Sequence, residues 1–164
     1  MERTRPAVED DLPRLVQLIE AAHTELRGER GGALWARRES PADPAPERLH
    51  DAMHRPDALV QVGLIDDYAV GYGVVSIERL RTGELLGMVH DIYVEPPFRG
   101  VAVGEIVMDE LIAFAQRNDC IGVDSLVLPG MRDSKNFFER YGMKARALLV
   151  HKSFEDADEA PDEE

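Results

Sequence analysis

Apolar residues recur along this chain at two spacings, one typical of amphipathic helices and the other typical of strands. Alternating or β-branched runs predict six strands, at residues 3–8, 59–65, 69–79, 88–94, 121–128 and 145–154. Helical spacing predicts four helices, at residues 12–22, 46–54, 104–117 and 133–141. Two breaks rich in glycine or proline, at residues 28–32 and 40–46, separate the first helix from the second.

The order of these elements predicts the fold class. The fourth strand, the long helix at 104–117 and the fifth strand form one crossover unit, which pairs its two strands in parallel. Further strands around it give an α/β fold, a mixed twisted sheet of six to seven strands with helices on both faces. A chain of 164 residues suits one domain with a full core. We therefore predict a single domain at residues 1–154 and an acidic, disordered tail at residues 155–164.

The negative charge of the chain is concentrated at its C-terminus. The formal net charge is −13, but residues 155–164 hold seven acids and no bases, which leaves 25 acids against 19 bases in the body. An acidic body without a basic stripe argues against binding of bare nucleic acid and mildly favours a cationic partner. One cysteine, Cys120, excludes a disulfide framework and a cysteine-rich zinc module. No apolar run has membrane-spanning length and no signal-type leader is evident, so we expect a cytoplasmic protein without membrane contact.

The stretch at residues 88–104 carries the most specific chemistry. Pro96 and Pro97 cannot donate ladder hydrogen bonds and must end the strand at residues 88–94. Small residues then open the long helix, where unpaired N–H groups and the helix dipole suit a phosphate. The turn matches neither a Walker A loop nor G-x-G-x-x-G. A plain strand-to-helix connection, with glycines that only allow close packing, is the alternative that these residues leave open.

Residues 93–104, with the sequence YVEPPFRGVAVG, resemble the signature of the GCN5-related N-acetyltransferases (GNAT). In that family a strand ending in tyrosine-valine is followed by proline and then by R/Q-x-x-G-x-G/A, which opens a long helix. Arg99, Ala102 and Gly104 fill the pattern here, with Ala102 in place of a glycine. Alanine fits if its φ is negative, although its methyl group would lie near a pyrophosphate. The order of elements extends the resemblance over residues 3–154.

The resemblance implies an acetyl-CoA-dependent N-acetyltransferase that moves an acetyl group to a primary amine of a small molecule or peptide. The amine would attack directly in a ternary complex, without a covalent enzyme intermediate. Backbone groups of Ile92 and Val94 would pair with the pantetheine amides, and backbone N–H groups at 101–104 would hold the pyrophosphate. Arg99 would add a charge-assisted bond to a phosphate. The full implied cofactor set is Ile92, Val94, Arg99, Gly100, Val101, Ala102, Val103, Gly104, Asn136 and Phe138.

Residues 134–143 resemble the late helix of the same family, written N-x-x-A-x-x-F-Y-E-K-x-G-F, with two departures. The leading asparagine falls at Met131, so the nearby Asn136 is the expected cofactor contact. The tyrosine that commonly protonates the leaving thiolate falls at Phe138, which cannot donate a proton. Tyr141, three residues further along the helix, is the candidate replacement. The same departure leaves a second function open, a catalytically weak or inactive acyl-CoA-binding or protein-interaction domain.

Two residues of the central strand are candidates for the group that takes the proton from the amine. His90 and Asp91 could each accept it through water. Neighbouring strand residues point to opposite sides, so we expect only one of them to face the acceptor. The resemblance ranks Asp91 first, because relatives often carry a carboxylate there, and assigns the N–H of Val94 as oxyanion donor. Each side chain also has an ordinary structural role open to it, as a satisfied strand residue.

Two histidines four residues apart, His50 and His54, lie on the predicted helix at 46–54. Such a pair can share a metal ion. The zinc-protease motif, however, has glutamate after the first histidine, where this chain has Asp51, and no third ligand is evident downstream. We therefore expect a solvated helix face and no metal. The acceptor pocket implied by the resemblance, at residues 22–54, carries no motif that identifies the acceptor, and a homodimer through exposed strand edges is compatible with the family.

Overall fold

A computed structural model describes residues 1–155 of the chain. The described elements, in chain order, are β1 (Glu2–Pro6), α1 (Leu12–Gly28), α2 (Gly32–Arg38), α3 (Ala45–His54), β2 (Ala58–Ile65), β3 (Tyr68–Arg79), β4 (Leu85–Val94), α4 (Val103–Arg117), β5 (Cys120–Ser125) and α5 (Arg132–Arg140). Short 3₁₀ turns at Glu9–Asp11 and Pro96–Phe98 lie before α1 and α4. The predicted acidic tail, beyond Glu155, lies outside the described residues. None of the described helices is long and apolar enough to cross a membrane.

The chain forms two compact units. The first comprises Met1–His23 and Pro41–Leu126, and holds the whole sheet together with α3, α4 and most of α1. The second comprises Thr24–Ser40 and the chain from Val127 onward, and its described elements are helical: the end of α1, then α2 and α5. The single domain predicted for residues 1–154 stays a prediction.

The sheet is mixed, as the sequence predicts, with strand order β1-β2-β3-β4-β5. The first four strands pair antiparallel with their neighbours, and β4 pairs with β5 in parallel. The parallel pair follows from α4, because a helix between two strands returns the chain to the edge from which it started. The parallel pairing begins at Leu85–Cys120 and ends at Val89–Ser125, five residues before β4 itself ends.

Helices cover both faces of the sheet, which confirms the predicted α/β class. On one face, Leu15, Leu18 and Ile19 of α1 are buried in a core with apolar residues of β2 and β3. On the other face α4 lies against strand positions that have no side chain. A Cβ added at Gly73 would stand 2.8 Å from Leu111 Cδ1, so the absence of a side chain at this glycine permits the close approach of α4.

Two expectations about the elements are wrong. The described residues contain five strands rather than six to seven, because residues 145–154 form no strand. Their apolar side chains are exposed instead, Leu148 by 87% and Phe154 by 93%. A strand needs the backbone of a neighbour, and the described elements of the second unit are all helical. The sequence also missed α2, which begins at Gly32, the last residue of the predicted break, with Gly31 in a left-handed conformation at its N-cap.

Candidate active site

The two candidate bases on β4 lie on the same face of the sheet, which corrects the expectation of opposite sides. The cause is a β-bulge: β3 pairs with β4 at Val74–Asp91 and next at Val75–Val89, so His90 is an extra residue. An extra residue interrupts the alternation of side chains along a strand. Asp91 accepts a hydrogen bond from Tyr72 and His90 contacts Ser76. Tyr72 and Ser76 are four residues apart on β3, and therefore share a face.

Asp91 is the centre of a buried cluster. The Tyr72 hydroxyl donates to Asp91 Oδ2 at 3.1 Å, and Tyr72 is fully buried. Burial first, and the neighbouring Asp91 charge second, raise the pKa of Tyr72 well above 10. The phenol therefore stays protonated and keeps its proton available for the carboxylate.

His23 joins this cluster and was missed by the sequence analysis. Its Nε2 lies 3.6 Å from Asp91 Oδ2, just outside hydrogen-bond distance, and only 8% of the residue is exposed. His23 stands four residues after Ile19 and therefore on the apolar stripe of α1. A titratable side chain on the buried stripe of an amphipathic helix could have identified His23 in the sequence. The predicted helix ended at residue 22, so His23 was not placed on that stripe.

His90 has a different environment from Asp91. Its Nε2 lies 2.6 Å from Ser76 Oγ, and the residue remains exposed. Partial desolvation lowers the pKa of His90; the charge of Asp91 opposes this change, whereas the charges of Arg48 and Arg55 add to it. The imidazole is therefore neutral at physiological pH, which is the form that can accept a proton.

The end of β4 presents backbone groups on the side away from β3. The Glu95 N–H donates to the Val70 carbonyl at 2.9 Å, so the neighbouring pair Gly71–Val94 is not bonded across the ladder. By the same alternation Ile92 turns its N–H and C=O away from β3. These are the two residues assigned to pantetheine. They lie beyond Val89, where the pairing with β5 ends.

The turn between β4 and α4 combines a left-handed glycine with the start of a helix. Gly100 has φ +93°, in the left-handed region that favours glycine. Ala102 has φ −72°, so the alanine that replaces the family's glycine is accommodated without backbone strain. The Val103 N–H donates to the Val101 carbonyl at 2.9 Å. Gly104 follows in the first turn of α4, where the backbone N–H groups of a helix lack an acceptor within the helix itself.

Arg99 is held against the end of β4. Its Nε donates to the Val94 carbonyl at 2.7 Å, and its guanidinium carbon lies 5.3 Å from the centroid of the Tyr93 ring. The Val94 carbonyl therefore already has a donor, whereas the Val94 N–H faces the same open side. Contact of Arg99 with a phosphate stays a prediction.

The remaining candidate residues lie in the second unit, on and directly after α5. Phe138 is buried and Asn136 is exposed. Tyr141 follows the last residue of α5, and its ring lies 5.3 Å from the ring of Phe137. The predicted roles of Asn136, Phe138 and Tyr141 in binding the cofactor and protonating the thiolate stay predictions.

Comparisons with known proteins cover most of the chain. A family model described as the acetyltransferase (GNAT) family matches residues 15–143. No curated protein sequence matches significantly.

Solved structures show the same fold at low sequence identity. A transcriptional regulator from Bacillus halodurans is 17% identical with a TM-score of 0.70, over 94% of this chain and 100% of that one. Glucosamine-6-phosphate N-acetyltransferase from Arabidopsis thaliana is 20% identical with a TM-score of 0.66, over 94% and 99%. An aminoglycoside N-acetyltransferase in complex with CoA is 14% identical with a TM-score of 0.71, over 94% and 95%.

Proposed function

We propose a reaction for this chain, which belongs to the acetyltransferase (GNAT) family, as the match over residues 15–143 shows. Membership of that family makes the chain an N-acetyltransferase. The proposed reaction moves an acetyl group from acetyl-CoA to a primary amine of a small molecule or peptide, by direct attack of the amine in a ternary complex. When bound, acetyl-CoA supplies a thioester carbonyl for attack and a thiolate leaving group.

The observation that carries the proposal is the open side of β4 next to the turn before α4. Ile92 and Val94 direct backbone groups away from β3 at the point where β5 no longer pairs. An extended arm with amide groups, such as pantetheine, can add to such an edge as a strand would. The N–H groups of Val101, Ala102 and Gly104 then follow at a helix N-terminus, where a pyrophosphate is favoured, while the Val103 N–H donates to the Val101 carbonyl. In this proposal the Val94 N–H also stabilises the developing oxyanion.

His90 is the residue that we assign to receive the ammonium proton, through a water molecule. It is exposed, and its lowered pKa keeps it neutral near pH 7. Asp91 is the other candidate of the sequence analysis. The Asp91 carboxylate already accepts a hydrogen bond from Tyr72 and has His23 beside it, so we assign it to attract the ammonium group and leave the proton to the more exposed His90.

Protonation of the leaving thiolate is assigned to Tyr141 or to water, because Phe138 has no proton to donate. Thiolates leave readily, so loss of the usual tyrosine slows the reaction by about 100-fold at the low end of general-acid effects rather than abolishing it. The acidic body, with 25 acids against 19 bases, favours a cationic acceptor. The names of two similar structures specify an aminoglycoside and glucosamine 6-phosphate, which makes amino sugars the first acceptors to screen.

Thermal unfolding with added ligand tests the cofactor half of the proposal. Acetyl-CoA and CoA at about 100 times their Kd should stabilise the protein by about 2.7 kcal/mol, while ATP should have no comparable effect. Release of CoA, followed by chromatography with a panel of primary amines, tests the catalytic half. Absence of any shift at millimolar acetyl-CoA would contradict the assigned site.

Phe138 favours one alternative, an acyl-CoA-binding or protein-interaction domain with weak or no activity. That alternative expects stabilisation by acetyl-CoA without turnover on any amine. Under the same alternative, the His90→Gln variant should be stabilised by acetyl-CoA as the wild type is. Turnover that falls in the His90→Gln variant decides for the enzyme.

A further inference from the structure

Three side chains outside the acetyl-transfer site converge on the surface of the first unit. Glu9, in the 3₁₀ turn before α1, places Oε1 at 3.0 Å from His50 Nε2 and at 3.5 Å from His54 Nε2. All three donor atoms lie within 4.8 Å of one another. Each side chain is 56% exposed, so solvent can reach the group.

Helix α3 places the two histidine side chains next to each other and orients one of them for metal binding. His50 and His54 stand four residues apart on α3, and their rings lie 4.4 Å apart between centroids. His54 Nδ1 lies 2.7 Å from the backbone carbonyl of His50. A carbonyl only accepts, so Nδ1 carries the proton, and in the neutral ring the lone pair is on Nε2, the atom nearest Glu9. A backbone carbonyl that holds the other ring nitrogen is the usual support of a metal-bound histidine.

The distances also fit a metal ion. Bonds of about 2.0–2.2 Å from nitrogen and oxygen ligands in a tetrahedral arrangement separate the donor atoms by about 3.3–3.5 Å. The two histidine-to-carboxylate distances, 3.0 and 3.5 Å, lie close to that separation. Two imidazoles and one carboxylate suit Zn²⁺ and the later first-row metals, and suit Mg²⁺ or Ca²⁺ poorly.

We propose that Glu9, His50 and His54 form a binding site for a divalent transition-metal ion, with water in the remaining position. The expectation of no metal rested on the lack of a third ligand downstream of His54. The third donor instead comes from upstream, in the turn that leads into α1. A bound ion would join this turn to α3. Because the unfolded chain does not hold the three donors together, the ion would stabilise the folded state.

The test measures metal binding directly on the full chain without a purification tag, since a histidine tag would itself bind the probes. Zn²⁺ is titrated calorimetrically, Co²⁺ is used for its visible absorption bands, and Mg²⁺ is the comparator. Glu9→Gln and His54→Ala remove ligands at exposed positions. His151→Ala removes an exposed histidine elsewhere, and Cys120→Ser removes the one thiol. Circular dichroism checks that every variant is folded.

We expect one Zn²⁺ per chain, tetrahedral Co²⁺ bands, and a Tm that rises with Zn²⁺ but not with Mg²⁺. Glu9→Gln and His54→Ala should each weaken Zn²⁺ binding at least about 10-fold, since even the outer partners of metal ligands contribute that much. His151→Ala and Cys120→Ser should bind as the wild type does. Saturable binding that survives both ligand variants, or no saturable binding of Zn²⁺, would overturn the proposal. Neither result depends on acetyl transfer.

Discussion

The hydroxyl of Tyr72 provides a direct test of the cluster around Asp91. Tyr72→Phe keeps the ring but removes the donor that lies 3.1 Å from the carboxylate. A hydrogen bond to a charged group contributes about 1.5–3 kcal/mol, so the free energy of unfolding should fall by an amount in this range. Because 13% of the Asp91 side chain is exposed, water compensates in part and we expect the lower half of the range. For a domain of this size the corresponding loss in Tm is roughly 3–9 °C.

Urea unfolding of the wild type and of Tyr72→Phe measures this difference. Tyr68→Phe is the matched control, because Tyr68 is 55% exposed and loss of a hydroxyl in water should change stability by less than about 0.5 kcal/mol. The pH dependence adds a second readout. Burial raises the pKa of Tyr72, so above about pH 10 the unfolded chain releases a proton that the folded chain retains. The stability advantage of the wild type over Tyr72→Phe is therefore complete below pH 10 and declines above it.

Two results would refute this account of the cluster. The first is a loss in Tyr72→Phe no larger than that in Tyr68→Phe. The second is a difference between wild type and Tyr72→Phe that stays constant from pH 8 to pH 10.5. The first result would mean that the hydrogen bond to Asp91 does not stabilise the fold. The second would mean that the pKa of Tyr72 is not raised in the folded state.

Three further predictions concern the base, the turn and the packing of α4. His90→Gln should lower kcat/KM by about 100-fold or more. In the wild type kcat/KM should fall on the acid side below pH 6.5, because desolvation lowers the pKa of His90, and this fall should be absent from the variant. An unchanged pH profile would exclude His90 as the base. Gly100→Ala, at φ +93° with open space around the new Cβ, should cost about 1 kcal/mol of stability or more through backbone strain alone, which urea unfolding measures. Gly73→Ala would place a Cβ 2.8 Å from Leu111 Cδ1 and should destabilise the fold by about 1–3 kcal/mol. The control Gly28→Ala, whose new Cβ has nothing within 4 Å, should be neutral or stabilising. Equal effects of the two variants would contradict the close approach of α4.

Much of the first unit could be predicted because its signals are local. Pro96 and Pro97 end β4 since they cannot donate to a ladder, and the apolar spacing after Gly104 marks α4. The parallel pairing of β4 with β5 then follows from the handedness and reach of a crossover helix. The turn at Gly100 to Gly104 was likewise identified from residue types, and its backbone angles agree with the requirement placed on Ala102.

The errors have a common physical origin, because each depended on a distant part of the chain. Residues 145–154 have apolar character, but strand formation also needs a partner backbone, which no local pattern reveals. The bulge at His90 is a mismatch in register between β3 and β4 and is not encoded in β4 alone. The contact of Glu9 with His50 and His54 likewise joins parts of the chain that are distant in sequence, and no pattern within α3 reveals it.

The sequence by itself determined the α/β class, the crossover unit and the position of the turn between β4 and α4, since hydrophobic period, proline and glycine act over a few residues. Only the tertiary structure decided which side chains meet. It brought Tyr72 and His23 to Asp91, placed His90 on the same face, and set Glu9 beside two histidines of α3. Contacts of this kind arise from strand register and helix packing, and these depend on many weak interactions across the whole fold rather than on neighbours in the chain.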